Sequence, residues 1–199
     1  MGPKTVVTEK APIPLPLLDG KDTGPLVQTW FEIVHLKQLY RKGWLDRGID
    51  PTRCETVAEH TFGNAMLCLL LVSKHPELDS EKVLRMALVH DLGEAYVGDI
   101  TPSDNVTKSD KSEREHAALQ RILGKLPNGQ EMLDIWLEYE QQSSPEATFV
   151  KRIDRLELAL QAAVYEHQGL IKGSEFYQAV LPQLPPDLAA LIQELVVPD

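Results

Sequence analysis

The stretch ALVHDLGEAYVGDITPSD, residues 87 to 104, sets several ionisable side chains at the end of an apolar segment. If the segment is helical, His90 and Glu94 are four residues apart and Asp91 and Glu94 are three apart, so each pair lies on one side of the helix. An imidazole and a carboxylate that reach one point suit a divalent cation of intermediate softness, such as Mn, Co, Fe, Ni or Zn. The stretch therefore predicts part of a metal site.

Two further residues with metal-binding side chains stand elsewhere in the chain. His60 lies in ETVAEHTF, near the start of the preceding predicted helix, and Asp154 lies in FVKRIDRLELAL, midway through the longest one. The apolar neighbours of Asp154 predict that it is buried, and a buried carboxylate without a partner is costly. Three helices could thus supply a set that leaves coordination positions open for water and a ligand oxygen, as catalysis requires. The set consists of His60, His90, Asp91 and Asp154.

Each member of this set also has a plainer interpretation. A histidine near a helix start, such as His60, is commonly a cap or a surface residue, and Asp154 could pair with Arg152 or Arg155 on the surface. Glu94 could be a solvated charge at a helix end. The set is more specific than its members, because three helices separately place a costly residue in apolar surroundings. The remaining histidines are interpreted as structural, namely His35, His75, His116 and His167.

The elements that would position these residues are predicted to be helices throughout. Apolar residues recur with helical spacing over residues 26–42, 57–74, 77–95, 112–123, 131–141, 145–168 and 186–195. Ser144 and Pro145 give the longest helix a clear start, as a cap residue followed by proline at the first helical position. Without repeats or strand-like alternation, the sequence predicts one all-α domain over residues 26–199. Residues 1–25 are predicted to be an N-terminal extension, either a flexible tail or a segment packed at an edge.

Composition limits the classes of partner. The chain has 199 residues, 43% of them hydrophobic, which is enough for one domain with a substantial core. Its formal net charge of −10 disfavours binding to the phosphate backbone of a nucleic-acid polymer. A small phosphorylated ligand is still compatible with this charge, because a bound cation or a few arginines can reverse the sign inside one pocket.

The apolar run MLCLLLV, residues 66–72, is too short to span a bilayer. The N-terminus has no charged-then-apolar signal pattern. Cys54 and Cys68 have no CxxC neighbour, which argues against a disulfide framework or a thiolate zinc site. We therefore expect a cytoplasmic protein that does not bind membranes.

The order His60, His90-Asp91, Asp154 resembles the H…HD…D pattern of the HD-domain metal-dependent phosphohydrolases. ETVAEHT, ALVHDLGEAYVGDITPSD and FVKRIDRLE are similar to one branch of that family, the HD-domain 5′-deoxynucleotidases, which remove phosphate from deoxynucleoside 5′-monophosphates. The resemblance runs from about Trp30 to Tyr165. Its extended HDxxE…GD block is much more specific than a bare HD pair.

The resemblance implies that one divalent cation is held by His60, His90, Asp91 and Asp154. The candidates for this cation are the metals named above and Mg. It also implies that Glu94 and Asp99 are the catalytic carboxylates. We assign Glu94 to take the proton from the attacking water, since a carboxylate within reach can act as a general base. Asp99 would orient the phosphate or sugar, or protonate the leaving 5′-oxygen. The two roles could also be exchanged.

The substrate-selecting segment of the family precedes the first histidine and reads LYRKGWLDRGI in this chain. The resemblance implies that Trp44 forms a wall near the sugar that disfavours a ribose 2′-hydroxyl. The alternative is that Trp44 is a core anchor. Some relatives carry arginine immediately before this tryptophan, where this chain has Gly43, so Arg41 is chosen as the phosphate contact. Thr101 could also touch the substrate.

Together these features predict a single-domain HD-fold helical bundle with the metal site between helices. The expected reaction is hydrolysis of deoxynucleoside 5′-monophosphates, and relatives commonly form homodimers, so a homodimer is expected. Two alternatives stay open: a related enzyme acting on ribonucleotides, nucleoside di- or triphosphates or a nucleotide analogue, and a catalytically silent helical binding module. Retention of Glu94 and Asp99 argues against the second.

Overall fold

The computed structural model of the protein describes residues 7–193 and residue 195. Its α-helices are α1 (Pro25–Ile33), α2 (Lys42–Leu45), α3 (Val57–Val72), α4 (Ser80–Val89), α5 (Glu94–Val97), α6 (Lys108–Leu123), α7 (Gly129–Gln141), α8 (Pro145–His167), α9 (Ser174–Val180) and α10 (Pro186–Gln193). Short 3-10 turns lie at Leu15–Leu18, Val34–Lys37, Pro102–Asp104 and Leu181–Gln183. Within the described residues extended pairing is limited to two isolated bridges, so the all-α prediction is confirmed.

The core forms where α3, α4, α7 and α8 pack against one another. Helix α8 begins as predicted, because Ser144 Oγ accepts a hydrogen bond from the Ala147 amide at 3.1 Å and Pro145 occupies the first turn. Helix α3 begins with a capping box in which Thr56 and Glu59 satisfy each other's backbone amides. These two helix starts fix where α3 and α8 face each other.

The predicted helix over residues 26–42 is wrong beyond Ile33. A 3-10 turn follows the α-helix, and Leu39 and Tyr40 after it have an extended backbone. The Tyr40 amide donates to the Thr8 carbonyl at 3.0 Å, and the Val57 amide donates to the Leu39 carbonyl at 2.9 Å. These tertiary hydrogen bonds replace the helical ones that the apolar spacing predicts.

The predicted helix over residues 77–95 is also wrong at its end. Helix α4 stops at Val89, and His90 to Gly93 form a turn before α5. In a continuous helix the His90 carbonyl would accept from the Glu94 amide. Here that amide donates to the Asp91 carbonyl at 3.0 Å, and the His90 carbonyl accepts from the Trp136 indole at 3.2 Å. A bond from α7 therefore ends the helix at the ionisable residues.

Gly93 lets this turn lie directly on α6. A Cβ atom placed on Gly93 would come within 3.0 Å of the Glu115 main-chain oxygen. That distance is tighter than most contacts of a real Cβ atom, so alanine would fit here only if the main chain of Glu115 moved by a few tenths of an ångström. The turn that carries His90 and Asp91 is thus held between α6 and α7.

The described part of the N-terminal extension packs on the domain. Lys10 donates its amide to the Gln38 carbonyl at 2.7 Å, and Glu9 lies 3.1 Å from His35 Nε2. Residues 1–6, at the start of this predicted extension, lie outside the described residues, as does residue 194 of the last predicted helix. In the described part of the chain no helix is both long and apolar enough to cross a membrane.

Two smaller differences concern helices in the second half. Helix α6 begins at Lys108, four residues before the predicted start, because Thr107 Oγ1 accepts from the Asp110 amide at 3.1 Å and acts as the cap. Helix α9 was not predicted, and it packs against α8 with Phe176, Tyr177 and Val180 buried.

Candidate metal and catalytic site

Four ligand atoms from α3, the end of α4, the following turn and α8 converge. Asp91 Oδ2 lies 3.5 Å from His60 Nε2 and 3.3 Å from His90 Nε2. Asp154 Oδ1 lies 3.2 Å from His60 Nε2. The structure thus brings His60, His90 and Asp91 together and places Asp154 beside His60, although the four predicted ligands span almost 100 residues of sequence.

The chemistry of this cluster fits a divalent cation. The side chains of His60 and His90 are almost fully buried, and the Nε2 atom of each has no hydrogen-bond partner among the described residues. The contact from Asp154 to His60 lacks hydrogen-bond geometry despite its short distance. Buried polar atoms without partners are rare in folded proteins. A cation bound by two imidazoles and two carboxylates would give both Nε2 atoms a partner. His60, His90 and Asp91 offer ligand atoms within 4.8 Å of one another.

The outer nitrogen of each imidazole is held by an acceptor. His90 Nδ1 donates to the Ala87 carbonyl at 2.8 Å, and His60 Nδ1 donates to Glu157 Oε2 at 2.6 Å. A carbonyl or an ionised carboxylate can only accept, so the hydrogen sits on Nδ1 in both rings. In the neutral form of each ring, the Nε2 lone pair is therefore the one that faces the cluster.

The charge states of the cluster also favour a cation. Burial works against ionisation of Asp91 and Asp154, but His90 beside Asp91 and His60 beside Asp154 outweigh it and hold both pKa values below the usual range. Burial lowers the pKa of His90. Burial also opposes charge on His60, yet the carboxylates of Asp154 and Glu157 raise its pKa to about 10. The carboxylates around His60 thus favour positive charge at this point, which a divalent cation would supply.

Glu94 opens α5 and is 1% exposed. Its Oε2 atom is buried without a hydrogen-bond partner in the described chain, and its Oε1 lies 3.9 Å from Lys111 Nζ. Burial, followed by the nearby carboxylates of Asp91 and Asp99, raises its pKa well above the usual value. A carboxylate with a raised pKa and a free oxygen is typical of a proton-transfer group.

Arg41 joins the ligand cluster to Asp99. Its Nη1 atom donates to Asp99 Oδ1 at 3.3 Å and lies 3.5 Å from Asp91 Oδ2. Asp99 Oδ2 accepts from the Lys42 amide at 2.7 Å. Gly98, with φ at +79°, adopts the left-handed conformation that turns the chain from α5 to Asp99. The guanidinium predicted to contact phosphate is therefore beside the predicted metal ligands.

The other two predicted substrate residues make their contacts with residues other than these ligands. Trp44 is 2% exposed, and its ring packs on Tyr165 and Phe176 with centroid distances of 5.1 and 4.7 Å. Its Nε1 donates to Glu55 Oε1 at 2.6 Å. This is the core-anchor alternative, and it leaves the indole little surface for a nucleotide. Thr101 belongs to a polar loop, where its hydroxyl contacts Ser103 at 2.7 Å.

Truncating this indole is expected to destabilise the protein. Trp44→Ala should cost ~3–5 kcal/mol of unfolding free energy, since an aromatic side chain is lost from a packed cluster. For a chain of this size that corresponds to a fall in Tm of roughly 6–20 °C. A melting curve measures the effect, with Trp30→Ala as the control because the Trp30 side chain is half exposed. Near-normal stability of Trp44→Ala would contradict the core-anchor assignment.

Sequence reasoning missed two charged residues of the site. Glu157 follows Asp154 by one helical turn, between Leu156 and Leu158, so the signal that identified Asp154 was present for it as well. Lys111 lies in the charged stretch KSDKSERE at the start of α6, and nothing in that pattern distinguishes it from a solvated lysine. Only the approach of α6 to α5 brings it to Glu94.

Named proteins similar to this chain share the activity that the resemblance implied. The 5′-deoxynucleotidase HDDC2 of Homo sapiens is 36% identical over 181 residues, which cover 88% of this chain and 87% of the relative. The HDDC2 protein of Danio rerio, also named a 5′-deoxynucleotidase, is 43% identical over 133 residues, covering 66% of this chain and 64% of the relative.

Solved structures resemble the fold as well. A protein of Pyrococcus horikoshii OT3 superposes with a TM-score of 0.70 at 31% identity, covering 85% of this chain and 99% of that one. A predicted metal-dependent phosphohydrolase of Magnetospirillum magnetotacticum superposes with a TM-score of 0.67 at 28% identity, covering 86% and 92% of the two chains. The family model described as HD domain matches residues 33–195, which is most of the sequence. The chain therefore belongs to the HD domain family.

Proposed function

We propose that this protein is a divalent-metal-dependent phosphomonoesterase that hydrolyses 2′-deoxynucleoside 5′-monophosphates to deoxynucleosides and phosphate. The observation that carries the proposal is the convergence of two imidazole nitrogens and two carboxylates beside a half-buried guanidinium and a buried carboxylate. The two nitrogens and one oxygen of that buried carboxylate have no hydrogen-bond partner among the described residues. The similar 5′-deoxynucleotidases support the choice of substrate.

The proposed ligands are His60, His90, Asp91 and Asp154. Two imidazoles and two carboxylates suit Mn, Co, Fe, Ni or Zn, whereas Mg prefers an all-oxygen shell that retains several waters. When bound, the cation supplies Lewis-acid charge that stabilises a phosphoryl oxygen and makes water more acidic. The protein contributes the remaining steps through its own side chains.

Glu94 is the proposed general base. Its Oε2 atom has no hydrogen-bond partner among the described residues, so it can accept the proton of the attacking water. Lys111 near Oε1 favours the ionised form that a base requires. The protein interior excludes bulk water from this group, because Glu94 is 1% exposed.

Arg41 is the proposed phosphate contact. A guanidinium offers parallel N–H donors that match two phosphate oxygens, which a lysine cannot do. Asp99 uses both oxygens as acceptors, from Arg41 and from the Lys42 amide. Such an acceptor is better suited to hold Arg41 in place than to exchange a proton. This favours Glu94 over Asp99 as the base.

In this proposal Trp44 supports the substrate segment from the core and does not contact the substrate. The Trp44 amide donates to the Arg41 carbonyl at 3.1 Å, and the Arg41 amide donates to the Glu55 carbonyl at 2.9 Å. The packed indole thus holds the turn that presents Arg41. If Trp44→Ala no longer discriminates between dAMP and AMP at a temperature where the variant is folded, the result would instead favour Trp44 as a wall beside the sugar.

The decisive experiment is phosphate release from matched substrates by metal-depleted protein reloaded with Mg, Mn or Co. We expect faster release from dAMP than from AMP, and slower release from dADP and dATP. A preference for AMP or for a triphosphate would support a phosphohydrolase activity but contradict the proposed substrate. Stoichiometric metal without any phosphate release would favour the binding module.

A homodimer is proposed from an apolar stripe on the exposed side of α3. The buried face of this helix carries His60, Asn64 and Cys68, and four large apolar side chains cover the opposite face. We refer to them as the α3 stripe, which comprises Phe62, Met66, Leu69 and Leu70. A contiguous exposed apolar face commonly marks a protein interface. We propose that a second copy of the chain covers it.

A charge in the α3 stripe should dissociate this dimer. Leu70→Glu is expected to halve the molar mass measured by light scattering after gel filtration, because a carboxylate would be buried without a partner. Leu191→Glu on α10 is the control, since Leu191 is similarly exposed outside the stripe. An unchanged dimer in Leu70→Glu, or a monomeric unmodified protein, would contradict the proposed interface.

The proposed setting is the cytoplasm. Both cysteines, Cys54 and Cys68, are buried and free, as expected for a protein that folds in a reducing compartment. The net charge of −10 supports a small phosphorylated substrate over a nucleic-acid polymer.

A further inference from the structure

Glu157 contacts His60 at Nδ1, the ring nitrogen that faces away from the proposed metal site. It lies on α8 one turn after Asp154 and is 7% exposed. Its Oε2 atom is 2.6 Å from His60 Nδ1, across 97 residues of sequence. Because the contact fixes hydrogen on Nδ1, it leaves the Nε2 lone pair directed at Asp91 and Asp154.

The two imidazoles of the site are held in different ways. His90 Nδ1 donates to the Ala87 carbonyl three residues earlier, a bond that the backbone supplies whatever the neighbouring side chains are. His60 Nδ1 donates to a single side chain from another helix. The orientation of His60 therefore depends on one replaceable residue, whereas that of His90 does not.

Gly63 makes room for this carboxylate. A Cβ atom placed on Gly63 would lie 2.8 Å from Glu157 Oε1, 3.4 Å from its Cγ and 3.5 Å from its Cδ. Glycine weakens a helix interior relative to alanine. Its presence within α3, three residues after His60, is explained by the space that the Glu157 side chain occupies.

We propose that Glu157 is a positioning residue that sets the tautomer and rotation of His60 for cation binding, and that Gly63 provides the space in which it does so. The inference rests on the metal site of the proposed function and is independent of the substrate. Loss of a carboxylate that orients a metal-binding histidine typically weakens metal affinity by about 10–100-fold.

The test measures the affinity of the metal-depleted full-length protein for Mn²⁺ and Co²⁺ by competition with a chelator, together with Tm. Glu157→Ala is expected to weaken binding by about 10–100-fold. Glu157→Gln should recover part of this loss, because its amide oxygen still accepts from Nδ1. Gly63→Ala should weaken binding although it removes no polar group. Glu146→Gln is the matched control, a buried carboxylate on α8 that accepts from the Asp79 amide.

A double substitution separates positioning from general packing. If both residues act through one contact, Gly63→Ala combined with Glu157→Ala should bind metal no more weakly than Glu157→Ala alone. Wild-type affinity in folded Glu157→Ala overturns the proposal, as do losses that simply add in the double variant. If Gly63→Ala does not fold, the Glu157→Ala and Glu157→Gln pair decides the matter alone.

Failure of this inference is distinguishable from failure of the proposed function. Unaltered metal affinity in the Glu157 variants, with dAMP hydrolysis intact in the unmodified protein, overturns only the positioning role. Weakened affinity in the variants, with no dAMP hydrolysis in the unmodified protein, supports the positioning role and overturns the substrate assignment.

Discussion

Asp91→Ala is expected to abolish both stable metal binding and phosphate release while the helices remain folded. Asp91 Oδ2 is the ligand atom that lies close to both imidazoles, at 3.5 Å from His60 Nε2 and 3.3 Å from His90 Nε2, so its removal opens the centre of the cluster. Elemental analysis after desalting, phosphate release from dAMP and far-ultraviolet circular dichroism measure the three quantities. His90→Ala should behave in the same way.

The control for this variant is Asp134→Ala, which removes an exposed carboxylate from α7. It should retain metal and activity. In the absence of metal, Asp91→Ala should be somewhat less stable than the unmodified protein at neutral pH, because the lowered pKa of Asp91 shows that its contacts with His90, Arg41 and His60 outweigh repulsion by Asp154. Full metal occupancy in Asp91→Ala would remove this residue from the ligand set.

Glu94→Gln is expected to lower kcat by about 10²–10⁴-fold while metal content stays unchanged, since general-base assistance is typically worth that much. Glutamine has nearly the same shape but cannot accept the proton of the attacking water. The variant should be at least as stable as the unmodified protein, because the buried Oε2 of Glu94 has no hydrogen-bond partner in the described chain. Steady-state kinetics with dAMP, elemental analysis and a melting curve test these expectations.

Glu115→Gln separates loss of the base from loss of charge around Lys111. Glu115 Oε1 lies 3.5 Å from Lys111 Nζ, the same ammonium that approaches Glu94. Its replacement should alter kcat far less than Glu94→Gln does. Equal losses in the two variants would mean that Lys111, held by both carboxylates, matters more than proton transfer at Glu94.

The sequence was a good guide to the metal cluster because the signal was local and chemical. Asp154 stands among apolar residues on a well-capped helix, and it is largely but not fully buried, with 13% of its side chain exposed. His60 and His90 could be grouped with it only by assuming that three helices meet. The resemblance to HD-domain proteins supported that assumption, and the geometry brings the predicted ligands together.

The sequence was a poor guide where tertiary bonds override helical periodicity. The spacing of apolar residues continues through His90, but a hydrogen bond from Trp136 to its carbonyl ends the helix there. Likewise Leu39 and Tyr40 fit a helical pattern, yet they pair with residues far away in the chain. Periodicity within one segment contains no information about such partners.

The role of Trp44 illustrates a different limit. A tryptophan before the first histidine is compatible with a substrate wall and with a core anchor, and only burial separates the two. Its indole faces Tyr165 from α8 and Phe176 from α9, and α9 itself was not predicted. Without that helix, the sequence could not indicate that the ring would be covered.

The close contact at Gly93 affects how tolerance to substitution in this stretch should be interpreted. A methyl group there would lie 3.0 Å from the main chain of Glu115, and relieving that contact would require α6, which carries Lys111, to shift by a few tenths of an ångström. The sequence HDLGE therefore contains two kinds of constrained position, those that are proposed to do chemistry and one that has no functional group at all. Sequence drift in this part of the protein is restricted by steric contact as well as by reactivity, so invariance alone would not separate Gly93 from the residues that it positions.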